Sequence, residues 1–275
     1  MSDMTFKDGI LQGALWVPSP NKYTGFHMPV SLLVNHYTAS GGANARSDGT
    51  FFQSPQAKAA AHFIVGRDGD IVQCVSIHDR AWHAGVSSWR GVPNCNDYAI
   101  GVEYDNYGYV TSDATGHFHP GANPSAVLEE HTVGKGQHKN TAVPYQWWEL
   151  YTTPQIEAGI QLTNAVLAEI PTIRDIVGHE DIAPQRKIDP GPLFPWQHFL
   201  ASTIGRAEGV AVHATVTATA LNVRNRPSTT STIVGKLAQG AEVIVVYDVP
   251  GEWAQISSSD GKLVGYVSDQ YLARK

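Results

Sequence analysis

The stretch Gly178-His179-Glu180-Asp181-Ile182-Ala183-Pro184-Gln185-Arg186-Lys187-Ile188-Asp189-Pro190-Gly191-Pro192 governs how the rest of the chain is read. It sets His179, Lys187 and Asp189 among three prolines and two glycines. Proline fixes φ and glycine permits tight turns, so neither a long helix nor a central strand is expected here. The expectation is a rigid loop that carries part of a metal or catalytic site. Just upstream, residues 173–177 read as a short strand feeding that loop.

Two further candidates, His36 and Glu103, lie at the ends of apolar runs. Val30-Ser31-Leu32-Leu33-Val34-Asn35-His36 reads as a buried strand. With period two, Leu32, Val34 and His36 share a face, and His36 emerges at the C-terminal edge. Ala99-Ile100-Gly101-Val102-Glu103-Tyr104 is a second such strand, with Gly101 and Glu103 on one face. Strand ends in α/β sheets are common places for sites.

Around these runs the remaining elements fall into place. Residues 54–61 are expected as a short helix, capped by Ser54 with Pro55 at its first position. Residues 62–65 and 70–75 read as strands joined by the hairpin signal Gly66-Arg67-Asp68-Gly69. Small and aromatic residues over 81–91 suit a loop lining a cleft. Residues 105–146, rich in Gly, Asn, His, Thr and Pro, are long for a loop in a compact domain and are expected as a functional flap beside Glu103 or an insertion. Its histidines, His117, His119, His131 and His138, leave a second metal site open against a solvated loop. Thr153-Pro154 opens the clearest helix, which Pro171 ends. Residues 195–204 form a closing helix and 205–209 a linker. Beyond it, short strands over 214–223, 241–247, 253–257 and 263–267 suggest a small all-β barrel.

Bulk properties narrow the function classes. The 275 residues are 42% hydrophobic and 16% charged, enough for a sizeable core and unlike a disordered chain. A formal net charge of −6 argues against a nucleic-acid binder driven by phosphate contacts. No run approaches the roughly 18 apolar residues of a membrane span. Cys74 and Cys95 lack metal-knuckle spacing, which leaves two buried thiols or one disulfide. Residues 1–9 show no basic n-region and no apolar h-region. The expectation is synthesis in the cytoplasm without a Sec signal peptide, with access to its target by release or delivery along another route.

The chemistry these residues suggest is hydrolytic. Catalytic zinc takes three protein ligands and a water, and His36, His179 and Asp189 would be a His, His, carboxylate set for one Zn2+. Glu103 suits a general base that later delivers its proton to a leaving amine. Lys187 could stabilise an oxyanion. Water attacking a metal-polarised carbonyl is amide or ester hydrolysis. His62 reads as a core histidine.

Five blocks in order carry a family resemblance: Val34-Asn35-His36-Tyr37-Thr38-Ala39, Ala61-His62-Phe63-Ile64-Val65-Gly66-Arg67-Asp68-Gly69, Arg80-Ala81-Trp82-His83-Ala84-Gly85, Asn96-Asp97-Tyr98-Ala99-Ile100-Gly101-Val102-Glu103, and the 178–192 stretch. Over about residues 15–204 the chain resembles the zinc-dependent N-acetylmuramoyl-L-alanine amidases of the type-2 group, nearest their AmpD-like branch. The resemblance implies an α/β fold with a mixed central sheet flanked by helices. It implies zinc on His36, His179 and Asp189, catalysis by Glu103 with Lys187, and substrate contacts from Trp82, His83 and Asn96. The implied reaction cleaves the amide between N-acetylmuramic acid and L-alanine in bacterial peptidoglycan, as a wall-lytic enzyme of the endolysin kind. Two alternatives remain open: a cytoplasmic enzyme recycling anhydro-muropeptides, and a non-catalytic peptidoglycan-binding module.

Farther on, Leu221-Asn222-Val223-Arg224-Asn225-Arg226-Pro227-Ser228, Trp253-Ala254-Gln255-Ile256 and Gly265-Tyr266-Val267 resemble a bacterial SH3-type domain. That resemblance implies an SH3-like barrel that binds cell wall, with Arg224, Trp253 and Tyr266 as a candidate surface. Core packing for Trp253 stays open. The expected domains are 1–207 and 208–275.

Overall fold

The computed structural model describes residues 4–40, 44–203, 212–224, 229–249, 253–258 and 263–274. The chain divides into two compact units, Met1–Phe194 and Pro195–Lys275. The expected linker and the 207/208 boundary lie outside the described residues.

In chain order the first unit contains β1 (Leu15–Trp16), β2 (Leu32–Tyr37), α1 (Ala45–Phe52), β3 (Phe63–Val65), β4 (Ile71–Gln73) and β5 (Ala99–Tyr104). An insertion follows with β6 (Tyr109–Ser112), β7 (Phe118–Pro120), β8 (Val133–Gly136) and β9 (Gln146–Glu149). Then come α2 (Thr153–Glu169), β10 (Asp175–Gly178) and the single turn α3 (His179–Ile182).

The central sheet has the order β10-β2-β5-β3-β4-β1. It is mixed: β10, β2, β5 and β3 run parallel, while β3 and β4 form the expected antiparallel hairpin. Parallel strands are buried on both faces, so they read as continuous apolar runs. Leu33, Val34, Ile100 and Val102 are all fully buried. Burying each such side chain contributes about 1.5–3 kcal/mol. On one face lies α2, whose Leu162 and Val166 are fully buried. Thr152 caps α2 by accepting from Gln155 N–H, and Gln155 Nε2 donates to the Val65 and Asp105 carbonyls, both at 3.0 Å. That ties the helix start to the ends of β3 and β5.

Within the first unit, two elements differ from the sequence expectation. The helix expected over 54–61 is only a 3-10 turn, Pro55–Ala57, and the true helix is α1 just before it. Asn44 caps α1 by accepting from Ser47 N–H at 3.1 Å. Ser54 makes no capping bond, Lys58 turns left-handed, and Ala60 N–H is taken by the Trp82 carbonyl. The alanines therefore run extended into β3.

The second difference is larger. Residues 105–146 are not a loop. They supply three strands and the first residue of a fourth in an antiparallel sheet of order β7-β6-β9-β8. Val110, Phe118 and Val133 form its small core, with Leu128 and Trp147 packed against it.

The second unit holds α4 (Trp196–Thr203), β11 (Val212–Val216), β12 (Ala220–Arg224), β13 (Ile233–Ala238), β14 (Glu242–Val249), β15 (Trp253–Ser258), β16 (Val264–Ser268) and β17 (Leu272–Arg274). Its strands form an antiparallel sheet of order β13-β12-β16-β15-β14-β11-β17 around Val223, Val243, Ala254, Ile256 and Val267. The strand expected over 214–223 is two strands, β11 and β12. Among the described residues no helix is long and apolar enough to cross a membrane.

Candidate metal centre

Topology gathers the reactive residues. Glu103 of β5 stands directly opposite His36 of β2, and Gly178 of β10 opposite Asn35. His179 follows Gly178 immediately. Three parallel strands thus end on one edge with His36, Glu103 and His179 side by side.

Asp189 returns to that edge through the turns after α3. The Arg186 and Lys187 N–H groups both donate to the Ala183 carbonyl at 2.9 Å, and Glu180 N–H donates to the Asp189 carbonyl at 2.9 Å. The Asp189–Pro190 peptide is cis. Gly191 has φ +81°, and the Trp148 ring lies 3.2 Å from where a Cβ would stand, so only glycine suits that turn.

Three candidate ligand atoms converge. His36 Nδ1 and His179 Nδ1 are 2.9 Å apart, and Asp189 Oδ2 lies 3.1 Å from the first and 3.0 Å from the second. All three side chains are buried. Tetrahedral bonds of about 2.0–2.1 Å set ligand atoms roughly 3.3 Å apart, close to this triangle. Among the described residues no other set of three His, Cys, Asp or Glu side chains converges in this way. In the insertion, His119 is engaged by Asp113 and the Ala126 carbonyl.

Hydrogen bonds behind the triangle set the tautomers. His179 Nε2 donates to the Ala84 carbonyl at 3.1 Å, which leaves Nδ1 of the neutral ring as a lone pair. His36 Nε2 lies 3.0 Å from His83 Nδ1, and His83 Nε2 lies 3.4 Å from the Ala99 carbonyl. A carbonyl only accepts, so His83 carries its proton on Nε2 and accepts from His36. Burial, then neighbouring His179, lowers His36 to about 4, and burial holds His83 well below the usual histidine range. Two lone pairs and a carboxylate therefore face one another at about 3 Å, an arrangement that calls for a cation between them. The donor set fits a divalent metal.

Burial would raise the Asp189 carboxyl, but His179 and His36, each about 3 Å from it, outweigh burial and hold it below the usual carboxylate range. Glu103 behaves oppositely. Burial, then the Asp189 charge, pushes it well above the ordinary value, while Lys187 pulls it back. Its Oε2 is buried without a hydrogen-bond partner. Lys187 is half-buried.

Of the three expected substrate residues, His83 and Asn96 stand behind the triangle. His83 is 8% exposed and its ring lies over Gly101, where a Cβ would come within 2.4 Å of the ring. That close approach explains the glycine opposite Val34. Asn96 Oδ1 accepts from the His83 and Ala84 N–H groups at 3.2 and 2.8 Å, fixing the segment that contacts His36 and His179. Trp82 is half-buried, with its ring 5.1 Å from Tyr23. His62 is a core histidine, accepting from Gly101 N–H and donating to the Asp79 carbonyl, both at 2.9 Å. Cys74 and Cys95 are free buried thiols.

Sequence reasoning missed several supports. Arg186 Nη2 donates to the Ala84 and Val86 carbonyls at 2.8 and 2.7 Å, and Tyr151 Oη donates to Pro190 O at 2.7 Å. Glu180 meets His138 and Lys139 of the insertion. Nothing in the local pattern marks such pairs, because each joins residues at least 39 apart.

In the second unit, Arg224 is paired opposite Tyr266, and Trp253 opposite Ser268 on the next strand. Directly paired residues share a face. Arg224, Tyr266 and Trp253 therefore lie on one face, with Val223, Ala254 and Val267 turned to the core.

The triangle at the C-terminal ends of the parallel strands defines a candidate metal-dependent hydrolytic centre. Residues 26–192 match the family model for N-acetylmuramoyl-L-alanine amidases, and residues 219–273 that for the bacterial SH3 domain. The chain belongs to the N-acetylmuramoyl-L-alanine amidase family and carries a C-terminal bacterial SH3 domain. It is 30% identical over 190 residues to 1,6-anhydro-N-acetylmuramyl-L-alanine amidase AmpD of Haemophilus influenzae, covering 63% of this chain and 82% of that one. It is 31% identical over 184 residues to N-acetylmuramoyl-L-alanine amidase AmiD of Escherichia coli, covering 64% of this chain but only 54% of AmiD. A solved AmpD structure, as its selenomethionine derivative, superposes with a TM-score of 0.52 at 31% identity, covering 73% of this chain and 99% of that one.

Proposed function

We propose that this chain is a zinc-dependent amidase that hydrolyses the bond between the lactyl group of N-acetylmuramic acid and L-alanine. The observation that carries the reading is the triangle of His36 Nδ1, His179 Nδ1 and Asp189 Oδ2, with both histidines presenting lone pairs. A zinc ion held there would lower the pKa of a water and polarise the amide carbonyl. Glu103 takes the proton of the attacking water and returns it to the alanine nitrogen as that nitrogen leaves. Its raised pKa suits a carboxyl that must carry a proton, and Lys187 keeps the ionised form within reach. Lys187 supplies positive charge for the oxygen that gains charge in the transition state.

For the form of the substrate, the relatives named for 1,6-anhydro-muramyl peptides favour a soluble anhydro-muropeptide. A second reading, intact peptidoglycan, is favoured by the SH3 domain, whose Arg224, Trp253 and Tyr266 share one face suited to a wall polymer. The test is product analysis by mass spectrometry with the full chain. One arm receives anhydro-muropeptide and the other intact sacculi. Release of peptide beginning at L-alanine supports the amidase in either arm, and no release in both refutes it. Faster turnover of the anhydro-muropeptide supports the first reading, and faster release from sacculi supports the second.

A further inference from the structure

The insertion between β5 and α2 supplies none of the reacting groups above, yet its side chains reach the metal loop. His138 is 1% exposed, and its Nε2 lies 2.5 Å from Glu180 Oε2. Its Nδ1 accepts from Asn140 N–H at 2.9 Å, so the proton sits on Nε2 and is donated to Glu180. Lys139 Nζ holds the other carboxylate oxygen, Oε1, at 2.9 Å and reaches Asp181 at 2.5 Å. Asn140 Nδ2 donates to the Pro184 carbonyl at 3.1 Å. Three consecutive insertion residues thus grip the turn that follows His179.

Glu180 is the joint of this arrangement. It is 4% exposed, its chain neighbour is His179, and its N–H donates to the Asp189 carbonyl. One residue therefore touches the insertion through its side chain, one ligand through the peptide bond and another through its amide. A buried carboxylate is costly unless it is paired and hydrogen-bonded, so Glu180 stays where His138 and Lys139 put it. Trp148 of β9 backs the grip, with its ring stacked 6.1 Å from His138 and packed on Gly191.

We propose that His138 and Lys139 form a brace for the metal loop, holding Glu180 and, through its backbone, keeping His179 and Asp189 at ligand distance. The brace rests on the zinc reading above. Groups that orient metal ligands from outside typically contribute about 10- to 100-fold in metal affinity. A brace that only stabilised the insertion would leave affinity unchanged in any variant that folds.

The experiment uses the full chain as wild type, His138→Ala, His138→Gln and Lys139→Ala. Zinc affinity is measured by competition with a chromophoric chelator, the cobalt(II)-loaded proteins are compared by visible absorption, and folding of the metal-free proteins is checked by near-UV circular dichroism. His138→Ala should bind zinc about 10- to 100-fold more weakly and shift the cobalt bands. His138→Gln, whose amide can still donate to Glu180, should recover most of that loss. Lys139→Ala, at a half-exposed position, should weaken binding by less than about tenfold. Wild-type affinity and an unchanged cobalt spectrum in a folded His138→Ala overturn the brace. If His138→Ala does not fold, wild-type affinity in Lys139→Ala overturns it instead. A wild-type chain that binds no zinc overturns the metal reading and the brace together, whereas zinc binding that is equal in all four proteins overturns the brace alone.

Discussion

Two sheets serve the metal loop in different ways. The central sheet brings residues together by topology: β2, β5 and β10 lie side by side, so His36, Glu103 and His179 become neighbours across long sequence gaps. The insertion sheet brings no ligand. It supplies contacts to Glu180, the residue after His179, through His138 and Lys139, with Trp148 stacked on His138. On the proposed metal reading, placing a ligand and holding it are separate tasks, and they should fail differently under mutation.

Loss of a placed ligand should have the largest effect. In Asp189→Ala the metal content should fall from about one per chain toward zero, and turnover by more than about 10³-fold. Elemental analysis beside a product assay reads both. Wild-type metal content would remove Asp189 from the ligand set. Glu103→Ala comes next, with metal retained and turnover lowered by about 10²–10⁴-fold. Unchanged turnover would take Glu103 out of the chemistry.

His83→Ala probes holding from the central sheet itself. It strips the acceptor from His36 Nε2, so metal affinity should drop about 10- to 100-fold, with His83→Asn restoring part of it. Full affinity in the alanine variant would mean that His36 needs no support, and would leave His83 free for the substrate.

The smallest effect lies away from the loop. Burial lowers His62 to about 4. Between pH about 6.5 and about 4 the unfolded chain binds a proton there that the folded chain refuses. Stability should therefore fall as pH drops through that window, by on the order of 3 kcal/mol, and stay level above it as far as His62 is concerned. Thermal melts of wild type and His62→Gln measure the difference. An equally steep decline in both would show that His62 is not the source.

The same contrast explains what the sequence disclosed. β2 and β5 are buried on both faces, so their apolar runs announced themselves, and the polar residues ending each run marked the site. The 178–192 stretch announced itself through the proline and glycine spacing that lets His179 and Asp189 converge. The insertion did not. Its strands are three or four residues long, and β8 is Val133-Gly134-Lys135-Gly136, whose glycines leave room for Leu150, Pro192 and Leu193. That packing is invisible without the partner, so the segment reads as a loop. α1 was hidden similarly, since Gly49 sits in its middle where Val17 and Val72 press close. His138 stood out only as one histidine among several, because its partner Glu180 is 42 residues away.

The most direct test of the metal-centred account is amidase activity before and after chelator treatment, followed by titration with zinc. Activity on the muramyl–L-alanine bond should vanish with the metal and return at about one equivalent of zinc per chain. Full activity in the metal-free protein would contradict the account.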